Sequence, residues 1–118
     1  MSERPQTAYK VLTGEQMTLL ERDASFAGAP IDLADGYIHL STADQLTETV
    51  DKHFVGQADL HVAAVDLAAL GEAVKWEASR GGALFPHIYG GPLLLETVIA
   101  YGPLERHADG AVKLPVSG

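Results

Sequence analysis

Two amphipathic helices packed on a mixed β-sheet of about five or six strands, in one α+β domain, is the architecture this sequence predicts. Three observations lead to it. Capping-box patterns open two segments of helical apolar spacing. Short runs rich in branched and aromatic residues lie between and after those segments. The elements alternate strand and helix in the first half and then continue as strands alone. The 118 residues fit a single domain, 1–118, with flexible tails expected at 1–7 and 108–118.

Residues 8–12 read as the first strand, and Thr13 with Gln16 caps a helix that runs to about Asp23. Residues 24–34 read as a loop around Gly28 and Pro30, with Phe26 tucked inward. Asp35-Gly36 is a turn pair, residues 37–40 form a short strand, and Thr42 with Gln45 opens the second helix. Ala43, Leu46, Val50 and Phe54 share one face of that helix, and Gly56 stops it. Residues 60–66 are apolar enough for a central strand, and 67–71 for a single helical turn. A shorter strand at 74–77 carries the only Trp. Residues 79–92, rich in Gly and Pro, read as a long loop of the kind that carries function. The last clear strand is expected at 94–101, with a weak edge strand at 111–114.

Composition excludes several function classes. With 47% hydrophobic and 20% charged residues and no long apolar run, a membrane span is not expected. The absence of cysteine removes disulfides, a thiolate nucleophile and a zinc–thiolate site, and the expected location is the cytoplasm. A net charge of −8, with eight scattered Lys and Arg, argues against an extended nucleic-acid surface. It leaves room for a small anionic ligand held by one or two placed cations. No metal site is expected, because no two of the five histidines stand at ligand spacing. A Gly-x-Ser-x-Gly elbow, a Gly-x-Gly-x-x-Gly fingerprint and a phosphate loop of Walker type are all missing.

Three stretches hold the candidate chemistry. In Asp35-Gly36-Tyr37-Ile38-His39-Leu40-Ser41-Thr42, alternation sends Ile38 and Leu40 to one face and Tyr37, His39 and Ser41 to the other. His39 both donates and accepts near neutral pH, Ser41 and Thr42 add hydroxyls, and the following helix offers backbone N–H groups to an anion. The competing reading is that Ser41 and Thr42 only cap the helix while His39 bonds across the sheet. In Ser79-Arg80-Gly81-Gly82, Arg80 suits a phosphate or carboxylate, against the alternative of a solvated arginine in a turn. In Phe85-Pro86-His87-Ile88-Tyr89-Gly90-Gly91, His87 and Tyr89 suit a flat ring, against the alternative of an apolar plug. Glu77 adjoins these and reads as an acid, a base or a surface carboxylate. His53 reads as a partly buried structural histidine, and His61 and His107 receive no role. His39-Leu40-Ser41 also matches one half of the repeated His-x-Ser pattern of two-histidine phosphoesterases, with no second copy at His87.

The Asp35–Gln45 segment, Val65-Asp66, Trp76-Glu77 and the segment from Leu84 to Gly90 together resemble a bacterial domain-of-unknown-function family, numbered 952, over residues 9–104. A more distant resemblance links Ile38-His39-Leu40-Ser41, its helix and Val62 to Asp66 with RNA 2′-phosphotransferases, which share the NAD-binding fold of ADP-ribosyltransferases. That likeness implies an ADP-ribosyltransferase-like split mixed sheet, with a cleft lined by His39, Ser41 and Thr42 and covered by residues 80–89. It implies a nucleotide-like ligand, NAD among them, and transfer of ADP-ribose or action on a 2′-phosphate. His39, Arg80 and His87 would be catalytic, and Lys10, Ser41, Thr42 and Tyr89 would hold the cofactor. Lys10 stands where those transferases commonly carry a first-strand histidine. That departure favours the alternative, a non-catalytic module binding a metabolite or a protein. A third reading, a phosphoesterase using His39 and His87, requires the two imidazoles to face one gap.

Overall fold

The computed structural model describes residues 6–79 and 82–115. Strand β1 (Thr7–Thr13) leads through a capping box at Thr13 and Gln16 into helix α1 (Gly14–Asp23). Strand β2 (Ser25–Phe26), helix α2 (Pro30–Asp35) and strand β3 (Ile38–His39) follow. Helix α3 (Ala43–His53) precedes strand β4 (Leu60–Asp66), and a single-turn helix α4 (Leu67–Leu70) leads to strands β5 (Val74–Ser79) and β6 (Ala83–Ile88). Strand β7 (Leu93–Leu94), a 3-10 turn and strand β8 (Val98–Pro103) complete the described elements.

The α+β class and the two main helices hold, and the sheet differs from expectation. Among the described residues eight strands form three small sheets, ordered β1-β4-β8, β2-β7 and β3-β6-β5, and every pairing is antiparallel rather than mixed. Three changes account for the extra strands, the first being β2, Ser25–Phe26, within the stretch read as a loop. The stretch read as a long loop holds β6, which is central in its sheet. The strand expected at 94–101 is broken by the turn Leu95–Thr97 into β7 and β8.

Strand β4 organises the core. Val62, Ala63, Ala64 and Val65 have no exposed surface, because alternate residues face two different layers. Ala63 and Val65 join Ala8 and Leu12 of β1, Met17 and Leu20 of α1, and Ile38 and Ile88 of the second sheet. Val62 and Ala64 join Tyr9, Val11, Leu46 and Val50 beneath α3. Val112, within a segment read as a loose tail, is buried in that second cluster, and its N–H donates to the Thr47 hydroxyl at 2.9 Å.

Among the described residues one isolated bridge joins the backbones of the two three-stranded sheets. Beyond β3, Leu40 still donates its N–H to Pro86 of β6, at 3.0 Å. One residue on, Ser41 has moved to β1 and exchanges both backbone bonds with Tyr9, at 2.7 and 2.9 Å. The chain from Tyr37 to Ser41 thus ties one sheet to the other. Its apolar side chains, Ile38 and Leu40, are buried, while Tyr37, His39 and Ser41 face the opening between the layers, as alternation predicts.

Candidate functional site

That opening is a cleft of about 540 Å³, lined by β1, the start of α2, the Tyr37–Ser41 segment, the outer face of α3 and β6. His39, Ser41, His87 and Lys10 all line it, together with Tyr37 and Tyr9. The two imidazoles therefore share one space, with ring centroids 5.1 Å apart in an edge-on arrangement.

The side of the cleft next to α2 is built on Asp32, a residue that sequence reasoning left in a loop. Pro30 at the first helical position and Gly36 in the left-handed C-terminal position define the short helix α2. The helix turns Asp32 inward, to 2% exposure, and leaves Ile31 and Leu33 more than half exposed. One Asp32 oxygen accepts from Lys10 Nζ and the Ala29 N–H, both at 2.8 Å. The other meets His39 Nδ1 at 2.6 Å and accepts from the His39 N–H at 3.1 Å. Burial by itself would push this carboxyl up. The His39 and Lys10 interactions outweigh burial and hold it well below the usual carboxylate range. Gly28 permits the close packing: its φ is +133°, and a Cβ there would stand 2.9 Å from Asp32 Cβ.

Lys10, expected among the cofactor-holding residues, is bonded inside the protein. Its ammonium is buried and donates to Asp32 and to the His39 carbonyl at 3.1 Å, so its charge is already neutralised inside the protein. His39 is equally committed. Its Nε2 lies 3.0 Å from Asp35 Oδ2, so both ring nitrogens meet carboxylates.

The opposite side is built on Glu77. In the β5–β6 register Glu77 stands opposite Phe85, which makes His87 its diagonal neighbour on the same face. Glu77 Oε1 lies 2.8 Å from His87 Nδ1 and accepts from the Tyr89 hydroxyl at 2.6 Å. These two hydrogen bonds hold the Glu77 carboxyl below its ordinary range. The bond from Tyr89 to the carboxylate pushes that phenol up to about 12. Tyr37 covers the pair. Its ring stacks on His87 at 4.4 Å and lies 4.7 Å from His39 and 4.9 Å from Tyr89.

Ser41 is buried, and its hydroxyl shares a 2.7 Å hydrogen bond with that of Thr49 on α3. Thr42 is the N-cap of α3 and does not line the cleft. Its N–H is taken by the Gln45 side chain at 3.0 Å, and that side chain also donates to the Leu84 carbonyl at 2.7 Å. His53, read as partly buried, is exposed at the end of α3, where it lines the cleft. Arg80 lies outside the described residues. The described residues hold no cluster of side chains suited to a metal ion, and no helix among them is long and apolar enough to cross a membrane.

Asp32, buried behind the cleft wall, and Asp35 and Tyr37, which line it, are residues that sequence reasoning gave no role. The signals were modest: a Pro30-to-Gly36 helix frame, and a tyrosine on the same alternating face as His39.

The crystal structure of protein CC0527 from Caulobacter crescentus is similar over most of the chain. The TM-score is 0.81 at 46% identity, covering 91% of this chain and 93% of that one. The solution NMR structure of CC0527 gives a TM-score of 0.76 at 45% identity, covering 92% and 91%. Among curated proteins none matches significantly. Over residues 11–101 the sequence matches the family described as "Protein of unknown function (DUF952)", and the chain belongs to that family.

Proposed function

We propose that the cleft binds a small nucleoside-like molecule, a flat ring carrying hydroxyl groups, with His87 as the group that accepts a proton from it. The observation that carries this reading is the stack of Tyr37 on His87 at 4.4 Å, with Glu77 fixing His87 Nδ1 at 2.8 Å. A carboxylate on Nδ1 sets the tautomer and leaves Nε2 as the basic nitrogen. The volume suits a ligand of this size.

The resemblance to RNA 2′-phosphotransferases and ADP-ribosyltransferases extends this reading to transfer on ribose, and a cleft between two separate three-stranded sheets supports it. A pyrophosphate such as that of NAD fits less well. Among the described residues Lys10 is the one Lys or Arg lining the cleft, and Asp32 already neutralises it. The same occupied Lys10 supports the second reading, a module that binds a metabolite without turning it over.

NMR titration with adenosine, uridine and NAD tests the proposal. Shifts of the Tyr37, His39 and His87 side chains are expected, with the His87 Nε2 resonance moving most. Silence at those residues with all three ligands at millimolar concentration would remove the site.

A further inference from the structure

The charges around the aromatic cluster specify the ligand further. Asp35 lines the cleft on one side of Tyr37, its side chain 43% exposed. Glu77 stands on the other side, its side chain 42% exposed. Between them lie the rings of Tyr37, His39, His87 and Tyr89, each within 5.1 Å of a neighbour, centre to centre. Two half-exposed carboxylates therefore flank a group of ring faces. Both features attract positive charge, one by Coulomb's law and the other through the ring quadrupole.

We infer that the ring taken by this cleft is cationic, and that phosphorylated forms of the same ligand are disfavoured; the inference rests on the nucleoside-binding reading above.

The field at Tyr37 agrees with the geometry. Its phenol is pushed up by burial first, and then by the negative charges of Asp35 and Glu77. The histidines paired with them, His39 with Asp35 and His87 with Glu77, add positive charge only when protonated, and Lys75 acts on Glu77 from outside the cleft lining. Lys10 is spent on Asp32, and Lys75, opposite His87 in the register, is exposed and does not line the cleft. A phosphate entering here meets like charge from Asp35 at the lining and from Glu77 behind His87, with no unpaired ammonium among the described residues lining the cleft.

A ligand series that varies charge around one nucleoside tests this. 1-Methyladenosine carries a positive ring at neutral pH, adenosine and N6-methyladenosine are neutral, and adenosine 5′-monophosphate is anionic. At low salt, NMR or calorimetric titration is expected to rank the cation about threefold to tenfold tighter than either neutral nucleoside. The monophosphate is expected to bind more weakly than adenosine. Added salt should compress the ranking, since exposed charges are screened. Asp35→Asn should narrow the ratio of cation to adenosine affinity, the quantity that reads the charge of this carboxylate rather than its place in the cleft wall. Equal affinities, or tightest binding by the monophosphate, would overturn the cation preference and leave the nucleoside site standing. Absence of binding by the whole series would overturn both.

Discussion

His39 and His87 share a cleft, and each has a carboxylate on Nδ1, yet the two carboxylates do different work. Asp32 is buried and joins Lys10, the α2 N-terminus, and the backbone and ring of His39 into one knot. Glu77 is part-exposed and touches only His87 and Tyr89 among these groups. The first holds elements of the fold together. The second holds two rings by hydrogen bonds at a part-exposed place and raises the phenol of one of them, Tyr89. Motifs that look alike around a histidine thus separate by how much solvent reaches the carboxylate.

Breaking the knot should have the largest effect. Asp32→Asn leaves the Lys10 ammonium buried without its counter-charge, and the expected loss is about 3–5 kcal/mol by urea unfolding. Acid sharpens the same point. The folded Asp32 carboxyl is held below its unfolded value, so its contribution is complete above about pH 4 and declines as pH falls further. The Asn variant should lack that part of the acid slope.

Glu77→Gln should act on titration rather than on folding. Tyr89, pushed up to about 12 mainly by its hydrogen bond to Glu77, should return toward the ordinary value of about 10. Carbon NMR of the tyrosine ring reads this directly, while the urea midpoint stays close to that of the wild type. If the Glu77 variant lost as much stability as the Asp32 variant, the distinction between the two carboxylates would collapse. A modest effect on stability, well short of that at Asp32, is expected at Ser41→Ala. Removing one member of the Ser41–Thr49 hydroxyl pair should cost about 1 kcal/mol.

Much of the site was legible one residue at a time. The turn, strand and cap from Asp35 to Gln45 placed His39 and Ser41 on a common face, and both line the cleft. The helix α2 was not legible, because its pattern is inverted. It buries an aspartate and exposes Ile31 and Leu33, so apolar spacing gives no sign of which face turns inward. Strand β6 was hidden by its surroundings. Gly and Pro flank it, and Pro86 sits within it, a residue that ordinarily argues against a central strand. There Pro86 offers its carbonyl to Leu40 and helps carry the chain from one sheet to the other.

Local chemistry determined which side chains face the opening, because alternation along an extended chain depends on the residues of that segment alone. The sequence by itself therefore supplied two histidines, their hydroxyl and aromatic neighbours, and the acidic balance of the chain. Only the tertiary structure decided how those groups are paired. Lys10 meets Asp32 across 22 positions, and Glu77 meets His87 across the β5–β6 register. Such pairings depend on how sheets and helices stack. They turn a lysine expected to hold a cofactor into a structural cation, and they leave Asp35 at the cleft wall and Glu77 behind His87.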